Sequence, residues 1–419
     1  MNIDELIMQA EKDCRDIFDG LDKIEEANTL RVLEAFQEEH VGARHFSPTT
    51  GYGYDDIGRD TLERIFARVF HCEQAIVRPH IVSGTHALSL CLFGLLLPGD
   101  HLISATGLPY DTMQEVIGLT SKDGVGTLKE MNVSFSPIDM TEDGKIDIDA
   151  VLKEIKRSKN TKLVMFQRSR GYAWRPSLLP EDFADAIRVL HEKHPDIFIM
   201  VDNCYGEFVR ETEPSFYGAD VCVGSLIKNA GGAIAPTGGY IVGTQKAIHR
   251  IEARLTAPGI GREEGSYAAS YRPFYQGLFM APHTVMQAVK TAVLSARVFE
   301  LLGMVSTPAY NAVRADIIQA IQLGSEEAMV AFCRGIQAAS PVDSDAAPEP
   351  WDMPGYENKV VMAAGTFVGG ASIEISADGP IRPPYAVYQQ GAVTYTHGKI
   401  AIKKALEELF SSGAMKEQN

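Results

Sequence analysis

Basic residues are in short supply in this chain of 419 residues. Lys and Arg number 39 against 55 Asp and Glu, which gives a formal net charge of −16 at pH 7. Nucleic acids and anionic membranes attract basic surfaces, so this balance argues against either of them as the main partner. A small anionic ligand in a local pocket is still compatible with it. We therefore expect a small-molecule partner.

Long apolar runs are also missing. The longest largely apolar stretch, residues 87–97, ends at Pro98 and has about half the length of a membrane span. The first residues, MNIDELIMQAEKDC, carry acids where a signal peptide needs an apolar segment. We expect no membrane association and a cytoplasmic location.

Cysteines are few and scattered. The chain has six of them and no CxxC pair or zinc-ligand spacing: Cys14, Cys72, Cys91, Cys204, Cys222 and Cys333. A disulfide framework is improbable with this pattern, and a reduced interior fits it better. We expect no metal site.

Apolar segments of strand and helix type alternate through the first part of the chain. Helices are predicted over residues 3–40 and from 60 to 71, and near 84–97, 111–121, 147–158 and 181–194. Strands are predicted at 74–78, 101–105, 133–138, 162–167, 197–202, 221–224 and 239–243. Short strands that alternate with amphipathic helices predict an α/β fold with a mainly parallel, doubly wound sheet covered on both faces.

The pattern changes after about residue 245. Long helical segments are predicted at 282–302, 309–322 and 324–339, then strands at 358–365 and 371–376 and a final helix at 398–411. We therefore predict an N-terminal helical segment at 1–45, a large α/β domain at 46–300 and a smaller α+β domain at 301–419.

Two predicted strands deliver polar side chains at their carboxyl ends. Asp202 follows four apolar residues, and Ser225 and Lys228 follow another apolar strand. In open α/β sheets this edge is where ligands bind. A desolvated lysine has a lowered pKa, and its neutral amine can form a Schiff base with an aldehyde. The alternatives are that Asp202 caps the next turn and that Lys228 is a surface lysine.

The pair favours pyridoxal phosphate, which needs a carboxylate for its ring nitrogen and a lysine for its aldehyde. Ser83, Gly84 and Thr85 lie between a predicted strand and an apolar helix, where backbone N–H groups attract phosphate. Ser225 adds a hydroxyl. Tyr110 lies at another strand-to-helix junction and could stack on a planar cofactor or pack on its own helix.

These motifs resemble the fold-type I pyridoxal-phosphate enzymes (aminotransferase-like fold), specifically the Cys/Met metabolism family of cystathionine and methionine lyases. The segments GLPYDT, VDNCYGEFV, SLIKNAGGAIAPTGGYIVG and SIEISADGPIRPPY are similar to the cystathionine β-lyase-like group often labelled aluminium-resistance proteins. That resemblance covers nearly the whole chain.

The resemblance implies roles for individual residues. Lys228, Tyr110 and Asp202 would be catalytic, and the cofactor would be held by these three together with Tyr54, Ser83, Gly84, Thr85, Asn203 and Ser225. The family counterpart of Tyr54 reaches the phosphate of the neighbouring subunit, so a homodimer or homotetramer with shared active sites is expected.

The sequence departs from the family pattern at three points. Ile227 stands where the family has a hydroxyl residue before the lysine. Asp56 stands where the N-terminal phosphate clamp has arginine, with Arg59 as a possible replacement. The arginine that binds the substrate carboxylate has no counterpart in register, and Arg382 is the nearest candidate. Arg382 could instead pair with Glu374 or Asp378.

The activity implied is carbon–sulfur lysis of a sulfur amino acid such as cystathionine, methionine or cysteine, by β- or γ-elimination. An aminotransferase or decarboxylase of the same fold is the alternative, because these reactions share the cofactor scaffold. A cofactor-binding protein with a stress-related role and little turnover is a third hypothesis.

Overall fold

A computed structural model of the chain describes residues 2–353 and 356–415. A seven-stranded sheet forms its centre, with the strand order β1-β7-β6-β5-β4-β2-β3. In chain order the strands are β1 (Gln74–Arg78), β2 (His101–Ser104), β3 (Ser134–Pro137), β4 (Thr161–Gln167), β5 (Phe198–Asp202), β6 (Val221–Ser225) and β7 (Gly239–Gly243).

Strands β2 to β6 pair in parallel, whereas β7 is antiparallel to both of its neighbours, β1 and β6. Every residue of β5 and β6 is buried, as expected for strands that are covered by helices on both faces. The predicted α/β fold with a mainly parallel sheet is therefore confirmed.

Helices come before, between and after the strands of this sheet. They are α1 (Ile3–Glu38), α2 (Ile57–Val69), α3 (Gly84–Leu95), α4 (Asp111–Ile117), α5 (Ile148–Arg157), α6 (Ala184–Lys193), α7 (Gln245–Leu255) and α8 (Arg272–Leu301). Several begin at a side chain that accepts a hydrogen bond from the first turn, including Asp56 for α2 and Ser83 for α3. Such caps satisfy N–H groups that a helix leaves unpaired.

The C-terminal part contains a five-stranded antiparallel sheet of order β10-β11-β12-β9-β8. Its strands are β8 (Ser306–Thr307), β9 (Gln319–Gln322), β10 (Val360–Ala363), β11 (Ser376–Pro380) and β12 (Ala386–Gln390), and its helices are α9 (Glu326–Ala339) and α10 (Tyr395–Ser411). None of the helices in the described part of the chain is long and apolar enough to cross a membrane.

Two sequence predictions in this part are wrong. The helix expected over 309–322 is absent, because its last residues form β9, in which Gln319 pairs with Gln389 of β12. The strand expected at 371–376 begins only at its last residue. Ile373 and Ile375 there are buried in a loop, so their alternating apolar pattern reflects core packing without strand pairing.

Helix α1 contributes apolar side chains to the cores beside both sheets. It packs along α8, and its residues Leu6, Ile7 and Ala10 belong to the apolar core formed around α9 and α10. The proposed division of the chain at residues 45 and 300 stays a prediction.

Candidate active site

The carboxyl ends of three adjacent parallel strands form the floor of the candidate site. Gln167 ends β4, Asp202 ends β5 and Ser225 ends β6, and Gln167 is the register partner of Asp202. Asp202 is 5% and Ser225 1% exposed. Parallel strands bring their carboxyl ends to one edge, so side chains far apart in the sequence meet here.

The segment containing Ser83, Gly84 and Thr85 lies against this edge. Ser83 Oγ accepts a hydrogen bond from His86 N–H at 3.0 Å and caps α3. A Cβ atom placed on Gly84 would lie 3.5 Å from Ser225 Cβ. Among the described residues no acceptor faces the backbone N–H groups of Gly84 and Thr85. This arrangement of N–H groups and hydroxyls suits a phosphate.

Lys228 follows β6 and is partly buried in the same site. Its Nζ lies 4.1 Å from the ring centroid of Tyr205. Asp202 Oδ1 accepts a hydrogen bond from Cys204 N–H at 3.1 Å. Burial raises the pKa of Asp202, and the positive charge of Lys228 opposes that rise. The carboxylate and the amine thus influence each other electrostatically.

The pKa of Lys228 differs from the sequence-based expectation. Burial lowers this pKa, but interactions with Tyr205, Cys204 and Tyr110 outweigh burial and raise it well above its usual value. The expected lowering considered burial alone and is wrong for the structure as described.

Tyr110 lies beside the segment 83–85 at the start of α3. Its hydroxyl is 3.0 Å from Thr85 Oγ1, and its backbone N–H donates to Gln167 Oε1 at 3.0 Å. Burial, followed by the nearby charge of Asp202, raises the pKa of Tyr110. The structure therefore brings Tyr110 together with Thr85, Asp202 and Lys228.

Asn203 points into a different environment. Its Oδ1 accepts from Arg168 Nη1 at 2.7 Å, and its Nδ2 donates to Glu213 Oε2 at 3.1 Å. Arg168 and Glu213 themselves form a fully buried ion pair at 2.9 Å. Asn203 Nδ2 also donates to the hydroxyl of buried Tyr240 at 3.4 Å, so the described hydrogen bonds of this side chain all go to buried protein groups. Its expected contact with a cofactor stays a prediction.

Tyr54 is not brought to the site within this chain. It is 58% exposed, and its hydroxyl donates to Glu264 Oε1 at 2.8 Å. Arg59, the possible replacement for the clamp arginine, is buried and donates from Nη1 to the carbonyl oxygen of Gly53 at 2.7 Å. Arg59 therefore braces the turn that carries Tyr54.

Arg382 is exposed just beyond β11. Burial raises the pKa of Asp111, the residue after Tyr110. The positive charge of Arg382 opposes that rise. Glu374 accepts instead from the N–H groups of Phe367 and Val368. Over residues 2–353 and 356–415, Arg382 has no ion pair with Glu374 or with Asp378. Arg382 thus lies close enough to Asp111 for its charge to act on that carboxyl group.

Sequence reasoning missed several side chains around Lys228. Tyr205 directly follows the Asp202-Asn203-Cys204 segment and has a positive φ of 72°, and Asp378 lies on β11. The position of Tyr205 after a strand-end motif is a signal that could have been used. No local signal marks Asp378, because only the packing of the two sheets brings it near Lys228.

Comparisons with known proteins agree with this geometry. The model of the family described as "Methionine gamma-lyase" matches residues 3–410. "Uncharacterized protein YnbB" of Bacillus subtilis (strain 168) is 51% identical over 402 residues, which are 96% of this chain and 95% of that protein. The resemblance predicted from the motifs is thereby confirmed.

Two solved structures are also similar to this chain. The "carbon-sulfur lyase involved in aluminum resistance" from Clostridium novyi NT is 47% identical, with a TM-score of 0.94 over 97% of this chain and 96% of that one. A methionine gamma lyase from Micromonospora echinospora is 18% identical, with a TM-score of 0.58 over 88% of this chain and 93% of that one. The second likeness supports the fold alone.

Proposed function

Because the chain belongs to the methionine gamma-lyase family, a family of pyridoxal-phosphate enzymes, we propose that it is a pyridoxal-phosphate-dependent carbon–sulfur lyase acting on a sulfur amino acid. The observation that carries this proposal is the juxtaposition of Asp202 and Lys228 at adjacent strand ends, beside Ser225 and the first turn of α3.

The polar groups of the site suit this cofactor. Asp202 is a buried carboxylate that would face the ring nitrogen and keep it protonated, and Lys228 would hold the aldehyde. The free N–H groups of Gly84 and Thr85 and the hydroxyls of Ser83 and Ser225 would hold the phosphate. When bound, the cofactor supplies an electron sink that stabilises negative charge at the α carbon of the substrate.

The residues of the chain then position and move protons. Lys228 Nζ would take the proton from the α carbon once the substrate amine has released it from the cofactor. The electron pair of the carbon–sulfur bond leaves with sulfur, which is released as a thiol after protonation. The remaining unsaturated amine hydrolyses to a 2-keto acid and ammonia. Tyr110 would stack on the ring and hold its plane.

Keto-acid release tests the proposal directly. The purified protein is incubated separately with L-cysteine, L-cystathionine and L-methionine, and 2-keto acid, ammonia and thiol are measured. We expect steady release of all three products from at least one substrate. Formation of keto acid only when a second keto acid is added would instead indicate an aminotransferase, and cofactor binding without turnover would indicate a stress-related binding protein.

Arg382 is expected to bind the carboxylate of the substrate. The planar guanidinium is shaped for bidentate recognition of a carboxylate, and lysine keeps the charge but loses that geometry. We expect Arg382→Lys to raise KM about tenfold while cofactor occupancy and Tm stay near wild type. The matched control is Arg334→Lys, a surface arginine that pairs with Glu349. An unchanged KM in Arg382→Lys would exclude the carboxylate role.

The protein is expected to be at least a homodimer. Tyr52 and Tyr54 are 67% and 58% exposed on the turn that would reach a neighbouring site, and two-fold closure is the commonest symmetry of homo-oligomers. Light scattering should give twice the 45.8 kDa of the chain, or a higher even multiple. A fully active monomer would refute this expectation.

A mixing experiment tests whether Tyr54 acts across the interface. Tyr54→Ala and Lys228→Ala are each expected to be nearly inactive. If each site takes Tyr54 from one subunit and Lys228 from the other, a mixed dimer has one intact site. Random mixing should then restore about a quarter of wild-type activity. No recovery after verified subunit exchange would place both residues in the same subunit's site.

A further inference from the structure

A buried carboxyl group of the C-terminal sheet lies close enough to the lysine of the candidate site to be affected by its charge. Asp378 lies on β11, directly opposite Tyr388 of β12, and is 8% exposed. Tyr172 acts on this carboxyl group as a side-chain hydrogen-bond partner, but among the described residues the buried Oδ1 has no partner. A buried carboxyl oxygen without a partner is costly, so this position is suited to a donor supplied by a ligand.

Tyrosine side chains surround this carboxyl group. The ring centroid of Tyr172 lies 5.3 Å from that of Tyr388 and 5.7 Å from that of Tyr356. The negative charge of Asp378 contributes to raising the pKa of both Tyr172 and Tyr356. Tyrosine faces and a carboxylate both attract cations. The surroundings of Asp378 thus favour a positively charged group.

The ammonium group of Lys228 is one of the cations near this cluster. It lies over the ring of Tyr205, which packs against the same apolar cluster as Tyr172 and Tyr388. Burial raises the pKa of Asp378 to about 7, against the opposing effects of Tyr172 and Lys228. A second cation close to this carboxyl group would favour its charged form further.

The unpaired Oδ1 of Asp378 can accept a hydrogen bond from a donor that a ligand brings. On the basis of the proposed function, we propose that Asp378, with Tyr172 and Tyr356, is a specificity site for a cationic group, an ammonium, on the side chain of the amino-acid substrate. Asp378 would determine which amino acids bind and would take no part in bond breaking. A substrate with a negatively charged side chain would be repelled by the same carboxylate.

Amino acids without a sulfur leaving group test this specificity apart from catalysis. L-Lysine, L-norleucine and L-2-aminoadipate have side chains of similar length that end in an ammonium, a methyl and a carboxylate group. Their dissociation constants for the cofactor-loaded wild-type protein are measured by calorimetry. We expect L-lysine to bind about tenfold or more tightly than L-norleucine, and L-2-aminoadipate to bind most weakly.

A conservative variant tests the effect of the negative charge of Asp378 separately from its size. Asp378→Asn should reduce the preference for L-lysine over L-norleucine to about twofold or less, while the affinity for L-norleucine changes little. Asp345→Asn, at an exposed position of the same domain, removes one negative charge elsewhere and should keep the wild-type preference. A purely structural role of Asp378 would weaken all three ligands alike. If Asp378→Asn fails to fold, the comparison of ligands on the wild-type protein still decides.

Turnover separates this inference from the proposed function. The substrates are S-(2-aminoethyl)-L-cysteine and S-ethyl-L-cysteine, and release of 2-keto acid is measured. Equal binding of L-lysine and L-norleucine to the wild-type protein would overturn the role of Asp378, even if S-ethyl-L-cysteine is cleaved. A retained preference for L-lysine without cleavage of any sulfur amino acid would support the role of Asp378 and overturn the lyase proposal.

Discussion

Replacing Lys228 with alanine is expected to abolish covalent attachment of the cofactor. Purified wild-type protein should be yellow, and borohydride should fix pyridoxal phosphate on the peptide that contains Lys228. In Lys228→Ala the segment 226–243 contains no other lysine to form the bond, and the base for the α-carbon proton is also lost. We expect keto-acid release to fall by about 10³-fold or more. Mass spectrometry of the reduced peptide and a turnover assay measure the two effects.

A lysine outside the site provides the control for this experiment. Lys246 is exposed near the start of α7, and its Nζ lies 5.2 Å from the ring centroid of Phe198. Lys246→Ala should keep the colour, the labelled peptide and the activity of the wild type. The assignment of Lys228 fails if Lys228→Ala still yields a borohydride-stable cofactor adduct on the same peptide.

Removal of the charge of Asp202 is expected to damage catalysis far more than cofactor binding. Asp202→Asn keeps an oxygen that can accept from Cys204 N–H but cannot hold a proton on the ring nitrogen by charge. Truncating one partner of a buried charge pair costs about 2–5 kcal/mol, which corresponds to a decrease of about 30- to 4,000-fold in rate. Phosphate contacts at α3 are unchanged, so occupancy should fall much less.

Two measurements separate these effects. Cofactor absorbance gives the occupancy, and keto-acid release per bound cofactor gives the rate. Asp196→Asn, an exposed position shortly before β5, makes the same change in net charge and should behave as wild type. Normal turnover in Asp202→Asn would exclude the pairing of Asp202 with the ring nitrogen.

The strand-end positions of the candidate site residues were predictable because they depend on local patterns. Asp202, Ser225 and Lys228 each follow an apolar strand that is recognisable in the sequence. Because these strands pair in parallel, their carboxyl ends meet at one edge of the sheet. The small residues before α3 carry their own signal as a helix start. The fold class and the floor of the site thus followed from short segments read in order.

The C-terminal sheet was harder to predict because its elements depend on distant partners. Residues 319–322 have a pattern compatible with a helix, yet pairing with β12 makes them a strand. Strand β12 itself was not predicted, and the apolar residues before β11 pack into the core from a loop. Tertiary contacts outweighed local preference in each of these segments.

The sequence by itself determined the α/β class, the family and the strand-end positions of Asp202 and Lys228, because apolar periodicity and strand ends are local properties. Only the tertiary structure decided that Asn203 belongs to a buried network with Arg168 and Glu213. It also decided that Asp378 lies close enough to Lys228 for the charge of the lysine to act on its pKa. The directions and pKa values of these side chains depend on burial and on charges contributed by residues remote in the sequence.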